Sequence, residues 1–146
     1  MTEIAYRLAG PADLTDAASV HIESCLDIYR PIAPEAVESG LLEQNLRRIW
    51  RGEALTDGDF IVLAERDGEV AGLATVRAVK YDEPYIDHFH VRPALKGRGI
   101  GRGLMAATFA EMRRRGMATV WLDVAEENLP AQGFYAAMGG VLGDRV

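Results

Sequence analysis

Between residues 97 and 103 glycine takes every second position, with Lys96, Arg98 and Arg102 interleaved among Gly97, Gly99, Gly101 and Gly103. Successive backbone N–H groups in such a turn can converge on an anion, and a helix that starts there adds the positive end of its dipole. Spacing restricts the anion. Counted from Gly97 or Gly99, the pattern G-x-G-x-x-G ends on Arg102 or Leu104, so the dinucleotide fingerprint fails. No Gly-Lys-Ser/Thr closes the loop, so a Walker A motif fails as well. Other residues with chemical capacity lie on either side. Asp87, His88 and His90 fall in YIDHFHV (85–91), Tyr135 follows Phe134, and Asn128 precedes Pro130. Two imidazoles at i and i+2 on a strand can face one ion, but no spaced cluster elsewhere accompanies His88 and His90, and no metal is expected. Cys25, the single cysteine, reads as a small buried hydrophobe, since no residue near it in sequence is arranged to activate a thiolate.

These residues need elements to hold them. IAYRLAG (4–10), stopped by Gly10-Pro11, reads as a first strand. Leu14, Ala17, Ala18, Ile22, Cys25, Leu26 and Tyr29 recur at helical spacing up to Arg30, with Pro31 and Pro34 beyond. A second helix is predicted from Pro34 to near Arg51, burying Leu41, Leu42, Leu46, Ile49 and Trp50, with Gly40 as its weak point. Residues 59–79 carry two β-rich runs joined by Asp67-Gly68, a hairpin signal. YIDHFHV follows as a strand, then the glycine turn, then a helix with Leu104, Thr108, Phe109 and Met112 inward and Gly116 as its stop. TVWLDV (119–124) makes the next strand, which gives a right-handed βαβ unit with parallel strands. A short helix from Pro130 and a last strand in GGVLGDRV (139–146) complete the reading. The run Arg113-Arg114-Arg115 suits the C-terminal end of its helix.

Bulk properties set outer bounds. The 146 residues suit one domain, 1–146, and 49% hydrophobic with 26% charged residues is globular composition. A net charge of −6 speaks against general nucleic-acid or anionic-membrane binding. One cysteine permits no internal disulfide, the first ten residues lack signal-peptide features, and no apolar run could span a bilayer, so a cytoplasmic protein is expected.

The pattern V-x-P-x-x-K-G-x-G-I-G, from Val91 to Gly101, resembles the acyl-CoA pyrophosphate loop of the GNAT N-acetyltransferases, with Lys96 where that family prefers Gln or Arg. Val124, Asn128, Ala131, Phe134 and Tyr135 are similar to the family's second motif, V-x-x-x-N-x-x-A-x-x-F-Y. YIDHFHV resembles its fourth strand, and residues 20–37 resemble its helix pair around the acceptor. The resemblance implies an α/β (α+β) fold, with a mixed, mostly antiparallel sheet flanked by helices, a central βαβ unit and splayed parallel strands. It also implies a further strand after Val146, so an unpaired sheet edge would favour a homodimer.

The resemblance implies acetyl transfer from acetyl-CoA, the acyl-donor cosubstrate, to a primary amine by direct attack in a ternary complex; a noncatalytic acyl-CoA-binding module is the alternative. Lys96, Gly97, Arg98, Gly99, Ile100, Gly101 and Arg102 would hold the pyrophosphate, and the backbone of Phe89, His90 and Val91 would pair with the pantetheine arm as an added strand. Asn128 would contact the cosubstrate or cap a helix. Tyr135 would protonate the leaving thiolate. An alkylamine of pKa about 10.4 is neutral to only roughly one part in a few thousand at pH 7, so a base is useful. Asp87, which strict alternation places on the face of Phe89 and Val91 with His88 and His90 opposite, is the first choice, acting through water. The acceptor is a small-molecule amine or a peptide or protein amine, shaped by residues 20–50 and the loop 81–84. Asp27, Glu35, Asp82 and Glu83 there would suit a cation.

Overall fold

A computed structural model describes residues 3–52, 55–78, 83–124 and 128–141. Strand β1 (Ile4–Leu8) leads through a short 3-10 turn into helix α1 (Leu14–Tyr29). Two helices, α2 (Pro34–Glu38) and α3 (Leu41–Gly52), stand where one was predicted. The break falls at Gly40, whose φ of +81° is left-handed and ends a helix at little cost for a residue without Cβ. Strands β2 (Phe60–Arg66) and β3 (Glu69–Arg77) form the expected hairpin. Asp67 and Gly68 both take positive φ, 54° and 80°, as a two-residue turn matched to strand twist requires. β4 (Tyr85–Val91), α4 (Ile100–Arg114) and α5 (Leu129–Ala137) follow. Among the described residues no helix is long and apolar enough to cross a membrane.

The four strands form one antiparallel sheet in the order β1-β2-β3-β4. Alternation along β2 and β3 divides the core between the two sheet faces. Val62, Ala64, Ala74 and Val76 pack with Ile100, Leu104, Met105 and Met112 of α4. Ile61, Leu63 and Leu73 pack with Ala17 and Val20 of α1 and Trp50 of α3. The inward face predicted for α4 is the observed one, with Leu104, Thr108 and Met112 buried and Phe109 packed at the margin of the core. That predicted for α3 is narrower in the structure: Leu46 and Trp50 are buried, whereas Leu41 and Ile49 are 54% and 50% exposed. Starting the helix afresh after Gly40 leaves only one stripe of α3 against α1.

The run 119–124 does not form a regular strand. It meets β4 in the parallel sense at one bridge, Tyr85 to Trp121, held by Ile86 N–H donating to the Trp121 carbonyl (2.8 Å) and Trp121 N–H to that of Pro84 (3.0 Å). Beyond that bridge the two segments separate. Of the predicted last strand, residues 139–141 are not in a strand, and 142–146 lie outside the described residues. The α+β fold, an antiparallel sheet flanked by helices, is the one that was expected; of the parallel pairing expected for a central βαβ unit, only the bridge at Trp121 is formed among the described residues.

Candidate functional site

The divergence of β4 from residues 122–124 opens a cleft of about 990 Å³, lined on one side by the start of α4 and on the other by α1 and the chain after it. Its floor is Ile86, Asp87, Phe89, His90 and Val91 of β4, and its far wall is Leu122, Asp123, Val124 and α5.

The glycine turn forms one end. Gly97 and Gly99 have φ of 78° and 80°, and Gly99 is the residue before the first turn of α4. Left-handed backbone at both is open to glycine and strained for other residues. Gly101 and Gly103 serve a different purpose. A Cβ on Gly101 would stand 3.3 Å from the Phe134 ring, and one on Gly103 would collide with the ring and hydroxyl of Tyr6. So two glycines shape the turn and two admit neighbouring aromatic rings. The leading N–H groups of a helix have no intrahelical acceptor, and those of α4 begin at this end of the cleft with no acidic side chain in the first turn. Lys96, Gly97, Gly99, Ile100, Gly101 and Arg102 all line it; Arg98 is exposed and does not. Lys96 Nζ lies 3.9 Å from Asp27, which lines the cleft from α1.

Tyr135 and Phe134 enter from α5 and pack against Phe89, with ring centroids 6.1 and 5.6 Å away. Burial pushes the Tyr135 phenol up to about 12, so it carries its proton at any neutral pH. Among the described residues its hydroxyl has no hydrogen-bond partner. Asn128 caps α5, its Oδ1 accepting from Ala131 N–H (3.3 Å), and it lines the cleft too. The capping role and a position at the cleft therefore coexist.

β4 departs from regular alternation at Asp87. Val76 pairs with Ile86 and the next residue of β3, Thr75, pairs with His88, so Asp87 is the extra residue of a bulge. Ile86, Phe89 and Val91 remain on the α4 side of the sheet. Asp87 instead accepts from Arg77 Nε (3.2 Å) and lies 4.0 Å from His88 Nε2. The bulge thus removes Asp87 from the shared face with Phe89 and Val91 that strict alternation implied, while keeping it on the cleft wall. Arg77 also holds Asp59 (3.2 Å), so one guanidinium sits between two carboxylates.

His88 and His90 do share a face, directed at α1, and there they meet residues that the sequence pattern had not raised. His21 lies 4.4 Å from the His88 ring and 4.6 Å from the His90 ring. Trp50 Nε1–H donates to His21 Nδ1 (2.8 Å), Ser24 Oγ is 2.9 Å from His90 Nδ1, and Thr75 Oγ1 is 3.1 Å from His88 Nδ1. Burial first, then the neighbouring rings of His90 and His88, pushes His21 far below the usual imidazole range. Burial first, then His88 and Lys96, lowers His90 to about 3. Both are neutral near pH 7. His21 and Ser24 were legible as the two polar positions inside the apolar stripe of α1, on the same side as Ala17 and Cys25, but a count of apolar residues passes over them.

Known proteins share this fold. A solved structure of the PaiA N-acetyltransferase from Thermoplasma acidophilum in complex with coenzyme A superposes with a TM-score of 0.79 at 20% identity, covering 99% of this chain and 93% of that one. The aminoglycoside N-acetyltransferase AAC(6')-Iy, in complex with a bisubstrate analogue of coenzyme A, gives 0.69 at 17% identity over 99% and 95% of the two chains. Streptothricin acetyltransferase from Streptomyces lavendulae is 40% identical over 86 residues, 57% of this chain and 44% of that protein. The [ribosomal protein bS18]-alanine N-acetyltransferase of Escherichia coli K12 is 32% identical over 74 residues, 51% of this chain and 49% of that protein. The matched segments thus span less than half of these relatives' length. The sequence profile of the Acetyltransferase (GNAT) family matches residues 22–139, and with that match, the glycine turn and the open junction beside β4, this chain belongs to the GNAT acetyltransferase family.

Proposed function

We propose that the protein transfers an acetyl group from acetyl-CoA to a primary amine by direct attack. The observation that carries this reading is the single cleft in which the start of α4, the diverging edge of β4 and the Tyr135 phenol all meet. The first N–H groups of α4, with Gly97 and Gly99 permitting the turn, hold the pyrophosphate at the positive end of the helix dipole. The backbone of Phe89, His90 and Val91 receives the pantetheine arm along the edge of β4 away from β3, where among the described residues no strand pairs, which brings the thioester to the middle of β4. The amine nitrogen bonds to the acetyl carbon as the carbon–sulfur bond breaks. Asp87, through water, receives the proton lost by the amine, and Tyr135 supplies one to the departing thiolate.

Streptothricin, aminoglycosides and a ribosomal-protein alanine appear in the names of the relatives, which supports an acceptor that is either a small-molecule amine or a peptide or protein amine. Asp27 on the cleft wall suits a cationic one. The test is a panel of amines, amino acids and peptides with acetyl-CoA, read as release of CoA thiol, beside calorimetry of acetyl-CoA alone. Release with at least one amine is expected. Acetyl-CoA binding with no release across the panel would favour a noncatalytic acyl-CoA module, and no binding at all would remove both readings.

A further inference from the structure

His21 and Cys25 are four residues apart on α1, so the helix presents both on one face, and β4 brings His90 against them. One ligand atom from each of the three lies within 4.8 Å of the other two. All three line the cleft, and none of their side chains is given a task by the acetyl-transfer reading. We propose that His21, Cys25 and His90 form a binding site for one borderline-soft divalent transition ion, zinc or cobalt, with its fourth position open to the cleft.

The donor set selects the ion. Two imidazoles and a thiolate suit zinc and cobalt and discriminate against magnesium and calcium, which take oxygen. Three protein ligands leave a tetrahedral ion one position, and the cleft beside them has room for water or a small ligand there. Ser24 Oγ, 2.9 Å from His90 Nδ1, can accept that ring's N–H and so leave Nε2 to bind the ion, the usual outer support of a ligating histidine. The set also differs from the one suggested by strand spacing, because the partners of His90 come from the His21-x-x-x-Cys25 spacing of α1 rather than from His88 and Asp87.

Trp50 makes occupancy visible. A neutral imidazole has one lone pair, and that of His21 Nδ1 now accepts from Trp50 Nε1–H. If the ion takes Nδ1, this lone pair is used. If it takes Nε2, the ring proton moves to Nδ1 and faces the indole N–H. Either way Trp50 loses its acceptor, so the ion and the Trp50 hydrogen bond are alternatives. Binding also displaces the Cys25 thiol proton, and affinity therefore rises with pH.

The experiment is titration of the untagged, metal-stripped protein with cobalt(II). One equivalent should give visible ligand-field bands and a near-ultraviolet thiolate-to-cobalt band, abolished by zinc, with a change in tryptophan fluorescence that follows the same curve. Cys25 is the only cysteine in the chain, so a thiolate band in the unaltered protein identifies it without a variant. Trp50→Phe should bind cobalt several-fold more tightly, because the competing hydrogen bond is gone, and His90→Gln should bind at least tenfold more weakly. Absence of the thiolate band, or bands unaccompanied by a fluorescence change, would overturn the site. A cobalt affinity unchanged in folded His90→Gln would do the same.

Discussion

Tyr135 carries two separable consequences. If its proton goes to the leaving thiolate, Tyr135→Phe should lower turnover by roughly 10²- to 10⁴-fold while leaving acetyl-CoA affinity by calorimetry nearly intact; unchanged turnover would remove the assignment. Its environment acts on stability as well. The unfolded phenol releases its proton near 10, whereas the folded one holds it to about 12 because it is buried. The contribution is therefore complete below pH 10 and disappears between 10 and 12. Tyr85, raised by burial and by its hydrogen bond to Asp123 (2.7 Å), acts in the same direction. Thermal denaturation followed against pH should show the melting temperature falling above pH 10, less steeply in Tyr135→Phe. Cys25 behaves as the sequence implied for a small buried group, since burial raises its thiol to about 11. Iodoacetamide near pH 8 should leave it intact in the folded, metal-free protein and modify it at once in urea.

At the scale of elements, α4 is seated on β1 by the absence of a side chain. Gly103 lies under Tyr6, whose hydroxyl donates to the Ile100 carbonyl (3.3 Å). Gly103→Ala should cost about 1–3 kcal/mol through overpacking, and Tyr6→Leu in the same chain should return part of it, as a double-mutant cycle in urea would measure. Gly103 looked from its spacing like part of an anion loop, and only the contact with β1 gives it this other reason. The hairpin at Asp67-Gly68 was legible because the turn itself demands those residue types. The break at Gly40 was half legible, as a weakness rather than an end. The bulge at Asp87 was not legible, since it arises from register with β3 and no residue type at 87 requires it. Nor was the meeting of His21 with His90, 69 positions apart, which depends on how α1 lies across the sheet. The glycine-turn end of the cleft is local in sequence and was readable; the end at α1 is built by tertiary packing and was not.

Across the whole molecule, the net charge of −6 coexists with a cleft end that carries Lys96 and Arg102. An anionic cosubstrate would thus be drawn to one place rather than to the surface at large. In and after the segment that β4 engages at a single bridge, Trp121, Leu129 and Val141 are 54%, 68% and 92% exposed. We propose that this part of the chain associates with a second copy, and light scattering at micromolar concentration should give twice the monomer mass; the monomer mass would exclude it. The single bridge at Trp121 has an energetic consequence too. A sheet that stops pairing after one residue leaves part of its cohesion to whatever fills the gap, so occupancy and folding are linked. At a hundredfold excess of acetyl-CoA over its dissociation constant the linkage is worth about 2.7 kcal/mol. For a chain of this size that is a rise in melting temperature of roughly 5–10 °C. The protection should be concentrated where the sheet opens: amide hydrogen exchange should slow in β4 from Asp87 to Val91, and far less in the β2–β3 hairpin, whose ladder is already closed.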